Sequence, residues 1–346
     1  MTRRTFSALA AAPAFAAPSG KIRAAMIGTG HGHAASKVRA LRSMPEYEFV
    51  GIARPVAWDP HENEAFRDVR AMTVKEILDD ASIEMVAIES ADINSNLDHA
   101  ELAVRAGKFV HFDKPPGADL ARFRKLLADA AAKGRVVQMG YQWRYHAQMQ
   151  TAMDAARQGW LGKIYRFRAS IDKLIDEEER QLLAKFKGGM MFSEGCHLID
   201  RATALLGKPK RISSYIRHDA PVSDGLMDNN LVIFEYDNAL AEISMAGFDK
   251  ANNRRRYLEI IGMNGSARVQ QYAQSRLTFD LAKPAGPYKA GEQQVKVTEP
   301  PGLAYTPDFA ELAAVIRQSA KPTYSAEHDL MTHEVLLRAC GMLSAA

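Results

Sequence analysis

Residues 22–33 read IRAAMIGTGHGH, an apolar run of one strand's length that breaks into alternating glycines and then into a helical pattern from about Ala34 to Met44. A strand with no polar alternation must be covered on both faces, which is the state of a parallel strand flanked by helices. The unit recurs. YEFVGIA at 47–53, IEMVAIE at 83–89, KFVHF at 108–112 and RVVQMG at 135–140 are further short apolar runs. Helical segments separate them at about 73–79, at 97–107 with a stop at Gly107, and at 119–133 ending near Gly134. Strand–helix alternation of this kind predicts an α/β doubly wound parallel sheet of Rossmann type with right-handed crossovers. Ligands of such sheets bind at the carboxyl ends of the strands.

The first turn has the chemistry for a dinucleotide. Gly28 and Gly30, with Thr29 between them, allow a tight turn whose amides can approach a pyrophosphate, and the helix N-terminus that follows favours its charge. The third glycine of a G-x-G-x-x-G pattern falls on His33, and Gly32 comes one residue early. The candidate cofactor contacts here are therefore Gly28, Thr29, Gly30, His31, Gly32 and His33, with Ser90 just past the third strand. Arg54 follows the second strand, where an arginine suits the 2′-phosphate of NADP. As a solvated loop residue it leaves NAD equally open. His31 and His33 are two apart and have no carboxylate or cysteine beside them in sequence, so no metal is expected.

From Tyr145 a helix to about Gln158 leads into a strand at 162–172, and EEERQLLAKFKGG then reads as a charged connection. A helix from about Glu194 to Leu206 stops at Gly207. Strand-like runs follow, with turn signals at Asp237-Asn238 and Asn264-Gly265. Helices at about 307–319 and 326–343 close the chain. The second half is predicted to be an α+β unit with a large, mostly antiparallel sheet. The expected division is an N-terminal address at 1–20, a dinucleotide domain at 21–140 and a substrate and oligomerisation domain at 141–346. On the helix, Ser193, Glu194, His197 and Asp200 can share a face. A neutral histidine oriented by a carboxylate could take a hydroxyl proton while hydride leaves the same carbon. Arg144 and Tyr141 fall at the domain junction, a favoured place for ligands. Cys196 beside His197 reads as a small buried residue rather than a nucleophile. With Cys340 the only other cysteine, no disulfide framework exists.

GTGHGH, HFDKPPG at 111–117, QMGYQWRY at 138–145, WLGKIYRFRA at 160–169, GGMMFSEGCHLID and the final SAEHDLMTHEVLLRA occur in this order. Together they resemble the glucose–fructose oxidoreductase / inositol dehydrogenase / MocA (Gfo/Idh/MocA) family from about Lys21 to the C-terminus. The resemblance implies a catalytic lysine at Lys114, which also touches the cofactor, and a catalytic histidine at His197. It implies a substrate contact at Arg144 and cofactor contacts at Tyr141 and Gln142; Glu194 and Asp200, on the helix face of His197, are the other candidate substrate contacts. It also implies NAD or NADP as cofactor, a sugar-like substrate, and a dimer or tetramer formed through the second sheet. This chain departs from the family pattern at Ser193, where many members carry an acid.

The first residues, MTRRTFSALAAAPAFAA, place Arg3-Arg4 before a short apolar run and small residues, the order of a twin-arginine export signal. Misread, it would leave a cytoplasmic enzyme. The net charge of +4 includes those two arginines, which argues against a nucleic-acid surface, and no later segment is apolar for a membrane span. Free nucleotide is scarce outside the cytoplasm, so an exported enzyme would carry its cofactor bound and recycle it. The alternatives are a redox-neutral enzyme that cleaves, epimerises or eliminates through a keto-sugar, and a non-catalytic periplasmic sugar-binding protein.

Overall fold

The computed structural model describes residues 20–343 apart from 57–58, 60–62, 91, 252–253, 271–274 and 299–301, so all of the N-terminal address but Gly20 lies outside the described residues. Five strands, β1 (Ile22–Ile27), β2 (Tyr47–Ala53), β3 (Met85–Ile88), β4 (Phe109–Phe112) and β5 (Val137–Met139), form the first sheet. Its order is β2-β1-β3-β4-β5, and every pairing is parallel. An isolated parallel bridge from Ala71 to Ile52 extends the β2 edge. Helices α1 (Ala34–Ser43), α2 (Val74–Asp79), α3 (Ile93–Arg105) and α4 (Leu120–Ala132) connect the strands. Period-two alternation sends Ala25, Ile27, Val86 and Ile88 into the core with α3 and α4. It sends Met26 and Ala87 into the opposite layer with Ala34 and Val38 of α1. Both faces are thus apolar because both are covered, as the continuous apolar runs require.

The second half begins with α5 (Ala147–Arg157), β6 (Ile164–Ile171), α6 (Glu177–Leu183), α7 (Gly189–Ser193) and α8 (Gly195–Leu206). Seven more strands follow: β7 (Arg211–Arg217), β8 (Asn229–Glu235), β9 (Leu240–Ala246), β10 (Arg256–Gly262), β11 (Gly265–Gln270), β12 (Arg276–Leu281) and β13 (Gly291–Val295). The chain ends with α9 (Thr306–Ile316) and α10 (Ala326–Ala339). The eight-stranded sheet runs β13-β12-β11-β10-β6-β9-β8-β7 and is antiparallel except where β6 meets β9. Its inward positions, such as Phe167, Val232, Ile243 and Leu258, join the same core as α5 and α8. Opposite them, Tyr215 pairs with Leu231, and both are exposed. Among the described residues no helix is long and apolar enough to cross a membrane.

Three sequence expectations need correction. The stretch read as a charged connection contains a helix, α6, whose N-cap Asp176 accepts from the Glu179 amide. Its Arg180 is held by Asp224 and Asp228. The hairpin signalled at Asn264-Gly265 forms, but with Met263-Asn264 at its tip, because Gly265 already pairs with Gly262 across it. The first C-terminal helix, placed with the second unit, packs instead on the first sheet. Phe309, Leu312 and Ile316 share a core with Ile22, Ala24 and Met85, and Tyr47 donates to the Phe309 carbonyl at 2.8 Å. The strands before residue 140 and those after it form separate sheets, but α9 crosses back, and its apolar face closes the layer that α1 leaves open.

Candidate active site

The order β2-β1-β3 makes the chain diverge between β1 and β3, and ligands of such sheets sit outside the strand ends at that point. The Gly-rich turn lies there. Gly28 has φ +85°, and a Cβ on it would stand 2.2 Å from Ser90 Oγ and 2.4 Å from Ser90 N. The glycine is thus demanded by the end of β3 as much as by any ligand. Gly28→Ala is expected to destabilise the fold by at least about 2 kcal/mol, from backbone strain and overpacking together, as read by chemical denaturation. Gly32 has open space where its Cβ would be.

Beyond Gly28 the turn amides converge on one acceptor. Thr29 N and Gly30 N donate to Asp59 Oδ1 at 3.2 and 2.9 Å. Amides aimed together at a carboxylate are an anion site, and the same donors fit a pyrophosphate. Arg54 lies nearby with its guanidinium 5.5 Å from the centre of the Phe66 ring. Sequence reasoning missed Asp59, which follows β2 by six residues. The usual acidic position is at the strand end itself, and Arg54 drew attention there.

Behind the turn lies a buried charge cluster. Lys37 of α1 is wholly buried and donates to Glu89 at 2.6 Å and to Asp113 at 2.5 Å. Burial opposes its charge, but Asp113 and Glu89 lift its pKa above the ordinary lysine value. His31 Nε2 is 3.1 Å from Asp113 Oδ2, and His33 Nδ1 is 3.3 Å from Asp113 Oδ1. Burial pushes His31 down to about 3 and lowers His33, which leaves both imidazoles neutral at physiological pH. Burial lifts the Glu89 carboxyl to about 8. The sequence held a signal for this cluster: Lys37 adjoins Val38 on the buried stripe of α1, and Glu89 ends an apolar strand. A charge in either place needs a partner.

Lys114 follows β4 by two residues and is joined to Pro115 by a cis peptide bond. Its ammonium is buried, donates to the Ser193 carbonyl at 2.9 Å and lies 3.9 Å from Glu194. Burial opposes its charge, yet Glu194 and other acids hold its pKa above the ordinary value, so it stays protonated. Glu194 is held well below the carboxylate range: burial works against its charge, but Lys114 and Lys173 outweigh it. Lys173 also reaches Glu194 at 3.3 Å and Glu179 at 2.5 Å. These groups line a cleft of about 290 Å³ between the two halves, bounded also by Gly30, His31, Gly32, His33 and Ser193. Lys173 and Glu179 are site residues that sequence reasoning did not find, since they belong to the stretch mistaken for a connection and to its approach.

The remaining candidates are placed differently. His197 is 1% exposed, does not line the cleft, and has no hydrogen-bond partner on either ring nitrogen. Its ring stacks on Trp143 at 6.1 Å and meets Tyr141 edge-on at 6.0 Å. Ser193, Glu194 and Asp200 therefore do not form the expected relay with it. The helix breaks at Glu194 between α7 and α8, and Lys114 and Lys173 draw the Glu194 carboxylate to themselves. Asp200 turns instead to Arg144 at 2.6 Å, to Arg201 and to His328 at 3.0 Å. Arg144 pairs in addition with Asp329 and lies 4.7 Å over the Tyr141 ring. Arg144 and Asp200 are thus corrected from substrate contacts to a buried tie between the helical turn at 142–144, α8 and α10, because each satisfies the other's charge away from the cleft. Tyr141 is buried and Gln142 half-buried, and neither lines the cleft.

Comparison with known proteins agrees with the two-sheet fold. Residues 22–141 match the oxidoreductase family with an NAD-binding Rossmann fold, and residues 149–268 match the Gfo/Idh/MocA C-terminal domain. An uncharacterised oxidoreductase of Schizosaccharomyces pombe, C26H5.09c, is 27% identical over 56% of this chain and 54% of its own length. The scyllo-inositol 2-dehydrogenase (NADP(+)) IolW of Bacillus subtilis is 24% identical over 41% of this chain and 40% of its own. The chain spans about half the length of the curated relatives it matches. A solved structure from Desulfitobacterium hafniense, provisionally named an NADPH-dependent oxidoreductase, superposes with a TM-score of 0.79 over 94% of this chain and 96% of that one. At 17% identity it speaks to the fold alone. With the nucleotide-binding and C-terminal family models matched in sequence order, and the parallel and antiparallel sheets both in place, the chain belongs to the Gfo/Idh/MocA oxidoreductase family.

Proposed function

We propose that this chain is an NAD(P)-dependent oxidoreductase that moves hydride at a carbinol carbon of a sugar or sugar derivative, with its dinucleotide held tightly and reused. The observation that carries this reading is the cleft itself. A protonated, buried Lys114 from the first sheet meets Ser193 and Glu194 of the second unit beside the anion-binding turn. The nicotinamide ring, when bound, supplies the hydride chemistry. Thr29 and Gly30 amides would hold the pyrophosphate, exchanging it for the Asp59 carboxylate. In the reducing direction Lys114 can give a hydrogen bond to the substrate carbonyl oxygen and stabilise the negative charge that develops as hydride arrives; in the oxidising direction the hydroxyl proton leaves to solvent at the cleft while Lys114 holds the oxygen. It acts as a donor and not as a base, since its proton is held by Glu194. Arg54 supports NADP, whereas the neighbouring Asp59 carboxylate would repel a 2′-phosphate and supports NAD. The half-exposed outer face of the second sheet, with Tyr215 and Leu231, supports self-association. The Arg3-Arg4 segment supports export.

The test is to purify the full chain with no nucleotide added, denature it, and identify what is released by mass spectrometry. Near-stoichiometric NAD(H) or NADP(H) is expected, and its identity decides between the two. A protein that releases none, and that reduces neither nucleotide with any polyol, overturns the reading. A second reading, a sugar-binding protein on the same fold, is favoured by one observation: His197 has no carboxylate to orient it. Transfer of a deuterium label from sugar to bound nucleotide would eliminate it.

A further inference from the structure

We propose that His31, His33 and Asp113 form a site for a divalent transition-metal ion such as zinc or cobalt, with one coordination position open to the cleft. The sequence separates the histidines from any carboxylate; the fold supplies one from the end of β4. The three donor atoms all lie within 4.8 Å of one another. The imidazoles meet opposite oxygens of one carboxylate, His31 Nε2 at 3.1 Å from Asp113 Oδ2 and His33 Nδ1 hydrogen-bonded at 3.3 Å to Asp113 Oδ1, each separation close to that of neighbouring ligands on a tetrahedral ion. Such an ion, with bonds of about 2.0–2.1 Å, sets its ligands roughly 3.3 Å apart.

Three further observations point to a ligand. Asp113 Oδ2 is buried with no hydrogen-bond partner, and so is Glu89 Oε2. Glu89 Oε2 lies 4.0 Å from His31 Nδ1. His31 Nδ1 accepts from the His33 amide at 3.3 Å; ligation through Nε2 would turn Nδ1 into a donor, and Glu89 Oε2 is the carboxylate placed to receive it. The imidazoles are about a quarter exposed, 24% and 23%, and both face the cleft, while Asp113 stands behind them. Two histidines and one carboxylate leave a position for water or a substrate hydroxyl. Lys37 works against a second cation. Two buried carboxylates, Asp113 and Glu89, face Lys37 and so offset it. The site shares the cleft with the proposed dinucleotide, and uptake by the nucleotide-free chain tests it without that reading.

The full chain, stripped with a chelator, would be titrated with Co²⁺ alone and followed by visible absorption and calorimetry. One ion per chain is expected, with the ligand-field bands of a low-coordinate site. His31→Gln and His33→Gln should each weaken it at least about a hundredfold, since each removes a direct ligand. These side chains are partly exposed, so both variants should fold, as circular dichroism would verify. Asp113→Asn is less secure because it also unpairs Lys37, so the two histidine variants carry the test. His328→Gln, in the separate Asp200–His328–Asp329 group, should leave uptake unchanged. No uptake at millimolar Co²⁺, uptake undiminished in both histidine variants, or uptake lost only with His328→Gln would each overturn the proposal.

Discussion

Lys114→Met is expected to lower hydride transfer about 10²–10³-fold, the usual effect of removing a donor aimed at developing charge. The measurement is single-turnover reduction of bound nucleotide by a polyol that the wild-type protein oxidises. The fold should survive. Glu194 loses one cation but keeps Lys173 at 3.3 Å, so no buried carboxylate is left unpaired. Lys114→Arg should recover only part of the rate, because a planar fork cannot place its donors as an ammonium does. The pH profile supplies an independent check. The pKa of Lys114 is raised above the ordinary value, so its protonated form persists through neutral pH and is lost only on the alkaline side of about 10.4. A lysine acting as donor therefore gives a rate that stays level from pH 7 to 9. A lysine acting as base would give a rate that climbs as it deprotonates. A full rate in Lys114→Met would remove the residue from the chemistry.

Asp200→Asn is expected to be the most damaging substitution for stability, by about 3–5 kcal/mol in urea or guanidinium unfolding. Asp200 is wholly buried and serves Arg144, Arg201 and His328 at once. The asparagine removes the negative charge, leaving Arg144 with Asp329 alone and Arg201 with the Tyr324 hydroxyl. The sign of the pH dependence follows from the folded state. Burial opposes the Asp200 charge, but Arg144 and Arg201 hold its pKa well below the ordinary value. Its contribution is fully present above the unfolded value of about 3.9 and fades as pH falls through the lower folded value. The gap between wild type and variant should be constant from pH 5 to 8 and narrow only in stronger acid. A loss of nucleotide or sugar affinity without loss of stability would return Arg144 and Asp200 to the substrate site.

Much of this protein was readable along the chain. Each apolar run from 22 to 139 is a strand at nearly the expected place, because burial on both faces writes itself into consecutive residues. Gly28 and the pattern after it locate the strand end where ligands bind, and Lys114 falls at the end of β4 as read. The antiparallel second sheet also follows from its turns. The errors share a cause. EEERQLL has charges in its first turn that a loop would also have; the Asp176 N-cap marks its start, and packing against the cleft with the acids around Arg180 holds it.

What the tertiary structure alone decided is which charges meet. Lys37 finds Glu89 and Asp113 at separations of 52 and 76 residues, and Tyr47 meets Phe309 across 262. His197 looked like part of a relay because Ser193, Glu194 and Asp200 recur at helical spacing. Lys114, Lys173 and Arg144, from other elements, claimed the two carboxylates first. Hydrophobic burial is summed over neighbouring residues, so a strand or a helix stripe is legible in the sequence that forms it. A buried charge is stabilised by a partner that topology selects, and nothing in the local sequence names that partner.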